Sequence, residues 1–189
     1  MNNRRLVLLS YVTLLSGFAL WGFSAAVARD LDLTNLRIVA TAAIALLAGG
    51  ALYAAVALMS RVESTTFPRL LFATAPIEFA LICAGIWSSS YTIDLNRLAQ
   101  TAVVLLVASL LAATLRLLVG LDRPAVRLVF IGFAASDIAT GAVVLKAIWG
   151  SPGQDDAKIF TAFAVLTAFT YLLAPAVQWL QDARPSPLP

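Results

Sequence analysis

Three charged side chains lie within stretches that are otherwise almost entirely apolar. Glu78 lies in TAPIEFAL, Asp137 lies in FAASDIAT, and Arg116 follows a run rich in alanine and leucine. A charged group near the middle of a bilayer costs at least about 2.5–3.5 kcal/mol, so such residues normally face the protein interior and often mark function. Either carboxylate could carry a proton or bind a cation. Alternatively, either acid could pair with Arg116, or with a basic residue of another subunit, and simply hold helices together.

Two prolines accompany these charges. Pro76 precedes Glu78 by two residues, and Pro175 lies in the last apolar stretch. Proline has no backbone N–H and clashes with the preceding turn, so each is predicted to kink a helix. The carbonyls of Phe72 and Tyr171 would then lack their helical donors, which is tolerated at membrane depth only where protein or water replaces the donor.

The composition argues against several classes of chemistry. Histidine is absent and Cys83 is the single cysteine. Haem ligated by histidine, most zinc sites and a Ser-His nucleophile all require an imidazole, so we expect no metal and no cofactor. The acid pairs Asp30 with Asp32 and Asp155 with Asp156 are interpreted as solvated loop charge rather than as a cation site. An enzyme acting on lipid is a third possibility, but no catalytic set can be drawn for it.

The elements that would position these residues are transmembrane helices. Hydrophobic residues make up 61% of the 189 residues and charged residues 12%, about half the usual share of a soluble domain. The pattern predicts an all-α bundle in one domain, residues 1–181, followed by a proline-rich, disordered tail at 182–189. Runs of about 20 apolar residues predict six spans, at 6–28, 38–59, 70–90, 98–121, 128–150 and 159–181.

Loop charge predicts the orientation of these spans. Eight arginines and three acids fall on one side, a balance of +5, whereas five basic and five acidic residues cancel on the other. The basic side should be cytoplasmic, which places both termini inside and the chain in a plasma (inner) membrane. The first span also resembles a signal peptide ending at Ala26-Val27-Ala28, but its apolar run is longer than usual, so we expect it to be retained. Scattered basic residues make nucleic acid a poor partner.

The basic residues also follow a regular spacing. One stands before nearly every predicted span, and residues 69–72 (RLLF) resemble residues 127–130 (RLVF). This could reflect an internal repeat, but snorkelling of each basic side chain to the headgroups is the favoured interpretation, and it applies to Lys146 as well. Three of the four tryptophans fall toward the outer ends of spans, as interfacial anchors do.

Small residues predict where helices pack closely. The span at 38–59 is rich in alanine, and Gly132, Ser136 and Thr140 form a stripe spaced by four residues. Such faces let helix backbones approach each other, either within one bundle or between the subunits of a homo-oligomer or larger assembly.

The two acids are predicted to lie at nearly the same depth. Glu78 is eight residues into its span and Asp137 nine, about 12–14 Å, and both spans run in the same direction. Overall, the sequence favours a non-catalytic membrane subunit or accessory protein of a larger assembly. The alternative is a small transporter or channel for protons, ions or a solute, which would use Glu78 and Asp137.

Overall fold

A computed structural model describes residues 33–61, 66–88, 93–150, 153 and 155–182. This part of the chain forms five α-helices and no strand: α1 (Leu33–Met59), α2 (Thr66–Trp87), α3 (Ile93–Leu118), α4 (Pro124–Trp149) and α5 (Asp156–Asp182). All five are long and apolar enough to cross a membrane. The all-α, multi-pass prediction is therefore confirmed. The predicted first span at 6–28, the signal-peptide question and residues 183–189 of the predicted tail lie outside the described residues.

The helices correspond to the second to sixth predicted spans, but each begins three to five residues earlier. For example, α3 begins at Ile93 rather than at residue 98, and α4 begins at Pro124 rather than at residue 128. The sequence prediction followed apolar runs, whereas the polar turn before each run is also helical. Pro124 illustrates the reason, because proline at the first helical position loses no hydrogen bond and has its φ preset for the helix.

Helix α3 is the centre of the described bundle. It packs against α1 and α2 on one side and against α4 on the other, and it touches α5 lightly. Helices α1 and α2 also pack on each other, as do α4 and α5, whereas α2 and α4 are not in contact. The described chain therefore consists of a three-helix unit, α1–α2–α3, and a hairpin, α4–α5, that joins it through α3.

Small residues build the core of the three-helix unit. On α1 the fully or nearly fully buried side chains include Ala51, Ala54 and Ala55, as the alanine-rich span predicted. Helices α2 and α3 approach so closely that a Cβ on Gly85 would lie 2.5 Å from the Ala99 Cβ. In this chain the close-packing face of α1 is thus used within the bundle.

A second core joins α4 and α5 to the far end of α3. It is built around the completely buried Phe133 on α4 and Ala174 on α5, together with Leu115, Val119 and Val126. The stripe of small residues on α4 faces α5. Ser136 is buried, and a Cβ on Gly132 would be 3.9 Å from Thr170 Cγ2 on α5. The predicted close approach is therefore made to α5.

One end of the bundle carries a recurring contact between tryptophan and threonine. Trp87 Nε1, at the end of α2, donates to Thr41 Oγ1 on α1 at 2.8 Å. Trp149 Nε1, at the end of α4, donates to Thr101 Oγ1 on α3 at 2.9 Å. The Arg97 guanidinium lies 5.9 Å from the centroid of the Trp149 ring. These tryptophans occupy the helix ends that were predicted to be interfacial, and they also connect neighbouring helices.

The α4–α5 connection is fixed at the same end by ion pairs. Lys146 Nζ is 2.8 Å from Asp156 Oδ1, and Asp156 Oδ2 accepts a 2.6 Å hydrogen bond from the Gly153 N–H. Lys158 pairs with Asp155 at 3.0 Å in a solvent-exposed contact. The second acid pair singled out in the sequence thus binds lysines. The first pair, at residues 30 and 32, lies outside the described chain.

Candidate functional site

An open cleft of about 430 Å³ lies between α3, α4 and α5. Its volume falls in the range of pockets that bind small molecules. Its walls are mostly apolar, with one carboxylate, two threonine hydroxyls and a tyrosine among them. The lining residues are Val107, Leu111, Phe133, Asp137, Thr140, Ala164, Thr167, Ala168, Tyr171 and Leu172.

Helical spacing brings the polar members of this lining together. On α4, Phe133, Asp137 and Thr140 follow one another at intervals of four and three residues, which places them on one face. On α5, Thr167 and Tyr171 are four residues apart and share a face in the same way. The two faces converge because α4 and α5 are adjacent and antiparallel along most of their length.

Asp137 lies at the middle of its helix. It follows Pro124 by thirteen residues, about 20 Å along α4, and precedes Trp149 by twelve. Its side chain is partly exposed to the cleft, and no residue in the described part of the chain forms a hydrogen bond or ion pair with its carboxylate. An acid at this depth with no partner in the described chain is expensive in a bilayer, and water, a proton or a cation in the cleft would relieve the cost.

Two threonine hydroxyls stand beside this acid. Thr140 Oγ1 on α4 and Thr167 Oγ1 on α5 are 3.3 Å apart across the cleft. Each oxygen is also 2.8 Å from the carbonyl of the residue four positions earlier, Ser136 and Phe163 respectively. A hydroxyl has a single proton, and in helices threonine commonly donates it to that carbonyl. Either hydroxyl can donate across the 3.3 Å contact, and each oxygen has lone pairs with which to accept a further hydrogen bond.

Tyr171 is held by the neighbouring helix. Its hydroxyl is 3.1 Å from Thr114 Oγ1 on α3, and that threonine is itself within 3.0 Å of the carbonyls of Leu110 and Leu111. The Thr114 hydroxyl therefore contacts both its own helix and Tyr171, and either hydroxyl can donate between the two. The Tyr171 ring packs against the completely buried Phe133 ring, with centroids 5.8 Å apart.

Glu78 lies in the other unit of the bundle. It is buried, with 7% of its surface exposed, on the stripe of α2 that also buries Leu71, Ala75 and Ile82 against α1 and α3. Its carboxyl Oε2 has no hydrogen-bond partner among the described residues. Because α2 and α4 are not in contact, Glu78 and Asp137 occupy comparable mid-helix positions but do not share a site.

Arg116 is not brought to either acid. Its Nη1 donates to the Val119 carbonyl at 3.2 Å, just beyond the end of α3. No ion pair within the described ranges joins it to Glu78 or Asp137. It lines a separate apolar cleft of about 410 Å³, between the start of α2 and the α3–α4 connection, together with Phe67 and Phe130. The Arg116 side chain was expected to reach toward the depth of the acids. Instead, it hydrogen-bonds a carbonyl at the end of its own helix.

Both predicted kink residues lie inside continuous helices. Pro76 is exposed on α2, and Pro175 is partly buried on α5. Pro175 has no N–H to donate to the carbonyl of Tyr171, a residue that lines the cleft. Pro76 belongs to the stretch that carries Glu78 and has no part in the cleft.

Sequence reasoning missed the polar contribution of α5. Thr167, Tyr171 and Thr114, the partner of Tyr171, carry no distinctive sequence signal, because single hydroxyl residues in transmembrane helices usually bond to their own backbone, as these threonines do. The available signal was the spacing of four between Thr167 and Tyr171 and their location opposite Asp137, which required knowing that α5 packs on α4.

No protein-family profile, curated protein or solved structure matched this chain.

Proposed function

We propose that this protein moves a small positively charged species, a proton, an ion or a solute, across the membrane through the cleft between α3, α4 and α5. One observation carries the proposal. Asp137 lies midway along a transmembrane helix, lines an open cleft and has no protein partner in the described chain. Intramembrane acids of this kind mark substrate and ion pathways.

The surroundings of Asp137 support a transient rather than a structural role. The nearby hydroxyls of Thr140, Thr167 and Tyr171 are engaged with the backbone or with other hydroxyls. None of them donates a hydrogen bond to the Asp137 carboxylate. Lys146 is on the same helix but is engaged by Asp156 near its end. A carboxylate without a permanent partner can bind and release a cation, whereas a carboxylate in a structural ion pair is already occupied by its partner.

The test is flux through purified protein in sealed liposomes. A potassium diffusion potential would be imposed, and proton entry would be followed with an enclosed pH-sensitive dye, with ammonium and alkali cations then supplied as alternative substrates. We expect Asp137→Asn to abolish the flux while leaving folding intact. Glu78→Gln is the matched intramembrane control and should retain flux, since Glu78 does not reach this cleft.

Two outcomes would contradict the proposal. Wild-type flux in Asp137→Asn would show that the carboxylate is not on the path. Loss of flux in Glu78→Gln, with Asp137→Asn unaffected, would place the path in the α1–α2–α3 unit instead.

A role as a membrane subunit is the second candidate. It is favoured by the exposed apolar surface of α4 and α5. Only 11% of the most apolar stretch of each of these helices is buried within the described bundle, compared with 28% for α1. A partner helix could cover that surface. Weighing the intact assembly after gentle extraction from native membranes tests this, because stoichiometric foreign subunits would support it and a lone chain would oppose it.

The proposed arrangement has six spans in a plasma (inner) membrane, one of them N-terminal to α1, with both termini cytoplasmic. It is supported by the end of the bundle opposite Trp87 and Trp149, which carries Arg61, Arg69, Arg116, Arg123 and Arg127 against Asp122 and Asp182. In a Cys83→Ala background, a membrane-impermeant thiol reagent applied from outside should label Gly153→Cys and spare Ser60→Cys. The reverse pattern would invert the orientation.

A further inference from the structure

We infer that the species bound in the Asp137 cleft is an organic ammonium ion with an apolar, aromatic body, such as a protonated arylalkylamine. This inference rests on the proposed function and narrows its substrate class. It combines the volume of the cleft, the chemistry of its polar atoms and the composition of its walls.

The volume favours an organic ligand over a bare ion. The cleft measures about 430 Å³, whereas a water molecule occupies about 30 Å³ in the liquid. A proton or a single alkali ion would leave most of this space filled by water against apolar walls. A molecule with one or two rings would cover the apolar side chains of Val107, Leu111 and Leu172 and remove them from water.

The polar atoms favour a monovalent cation that carries N–H groups. One carboxylate and three hydroxyls face the cleft, too few for the six to eight oxygen ligands that calcium requires. Thr140 and Thr167, whose oxygens are 3.3 Å apart, hydrogen-bond their own helix carbonyls and each other, and each oxygen has lone pairs that can accept. An ammonium group has donors and no acceptors, which complements a site that offers acceptors beside a negative charge.

The walls exclude anions and accommodate a ring. No basic side chain is among the residues that line the cleft. The Tyr171 ring borders the cleft and packs against the completely buried Phe133 ring, with centroids 5.8 Å apart. Aromatic faces attract organic cations and pack against aromatic ligands, so the same walls that repel a carboxylate would hold an arylalkylammonium.

The test uses four probes of similar size that differ in their polar group: 2-phenylethylammonium, its trimethylammonium analogue, 2-phenylethanol and 3-phenylpropanoate. Binding would be measured by calorimetric titration into the full chain in lipid nanodiscs, with empty nanodiscs as the partitioning blank. We expect saturable binding of the primary ammonium, weaker binding of the trimethyl analogue because its N–H donors are lost, and no saturable binding of the alcohol or the carboxylate.

Variants assign that binding to the cleft. Asp137→Asn should lower the affinity for 2-phenylethylammonium on the order of tenfold or more, because the amide removes the charge while preserving the shape. Thr140→Val should weaken it less, and Asp122→Asn, a change at an exposed residue outside the cleft, should leave it unchanged. Equal binding by wild type and Asp137→Asn, or equal binding of the anion and the ammonium, would overturn the inference.

The failure of this inference is distinguishable from failure of the proposed function. If Asp137→Asn abolishes proton or alkali-ion flux but 2-phenylethylammonium does not bind, the substrate class is wrong and the transport proposal stands. If flux and ammonium binding are both indifferent to Asp137, both are wrong.

Discussion

Trp149 on α4 donates a hydrogen bond from Nε1 to Thr101 Oγ1 on α3 at 2.9 Å, and the Thr101 hydroxyl donates in turn to the Arg97 carbonyl at 2.8 Å. The Arg97 guanidinium stacks over the same indole. This small network is the polar connection between the hairpin and the three-helix unit at the tryptophan end of the bundle.

Replacing Trp149 by phenylalanine should lower the free energy of unfolding by about 0.5–1.5 kcal/mol, the net value of one hydrogen bond. Unfolding in mixed micelles of increasing denaturing detergent would measure it. A cycle with Thr101→Val should show coupling between the two sites. Trp179→Phe is the control, because Trp179 is 69% exposed and is predicted to be a lipid-facing anchor. Equal losses in both phenylalanine variants would argue against the network.

Gly85→Ala should destabilise the α2–α3 contact by about 1–3 kcal/mol, as overpacking typically does. The added Cβ would be placed 2.5 Å from the Ala99 Cβ, and neither group belongs to a flexible side chain. Gly141→Ala is the matched control, since its Cβ would lie at an ordinary 3.8 Å from Val104 Cγ1.

Rescue gives a sharper test of the same contact. The double variant Gly85→Ala with Ala99→Gly moves the methyl group from one helix to the other and should recover most of the lost stability. If Ala99→Gly gives no rescue, the two helices are further apart than the structure has them.

Asp156→Ala should destabilise the α4–α5 connection more than Lys146→Ala does. The Asp156 carboxylate holds both Lys146 and the Gly153 N–H, whereas the lysine is largely exposed and makes one of these contacts. Asp155→Ala removes an ion pair whose side chains are 77% and 82% exposed, and it should change the unfolding midpoint little. A reversed order among the three variants would contradict this assignment.

Arg116→Gln and Asp137→Asn should have additive effects on stability. The two side chains line different clefts and share no partner, and the arginine donates to the Val119 carbonyl. A double-mutant cycle should therefore give a coupling free energy within about 0.5 kcal/mol of zero. A large coupling would restore the ion pair that the sequence suggested.

The helical class could be predicted from the sequence because twenty-residue apolar runs have few alternative structures. The level of the acids followed from the same counting, since Glu78 and Asp137 both lie near the middle of their helices. Their separation could not be predicted, because hydropathy carries no information on which helices are neighbours. The partner of Arg116 could not be predicted for a related reason. The sequence gives the depth of Arg116 along the helix axis, but its partner depends on the direction in which the side chain leaves the helix.

The two apolar cores meet at α3 without mixing. One is made of residues from α1, α2 and α3, and the other of residues from the end of α3 onward. During synthesis, the first core would have all its members once Leu118 has left the ribosome, before α4 has emerged. The α4–α5 hairpin would then dock onto a preassembled platform. Substitutions such as Gly85→Ala would therefore act early in biogenesis, and substitutions around Phe133 would act only at the final docking step.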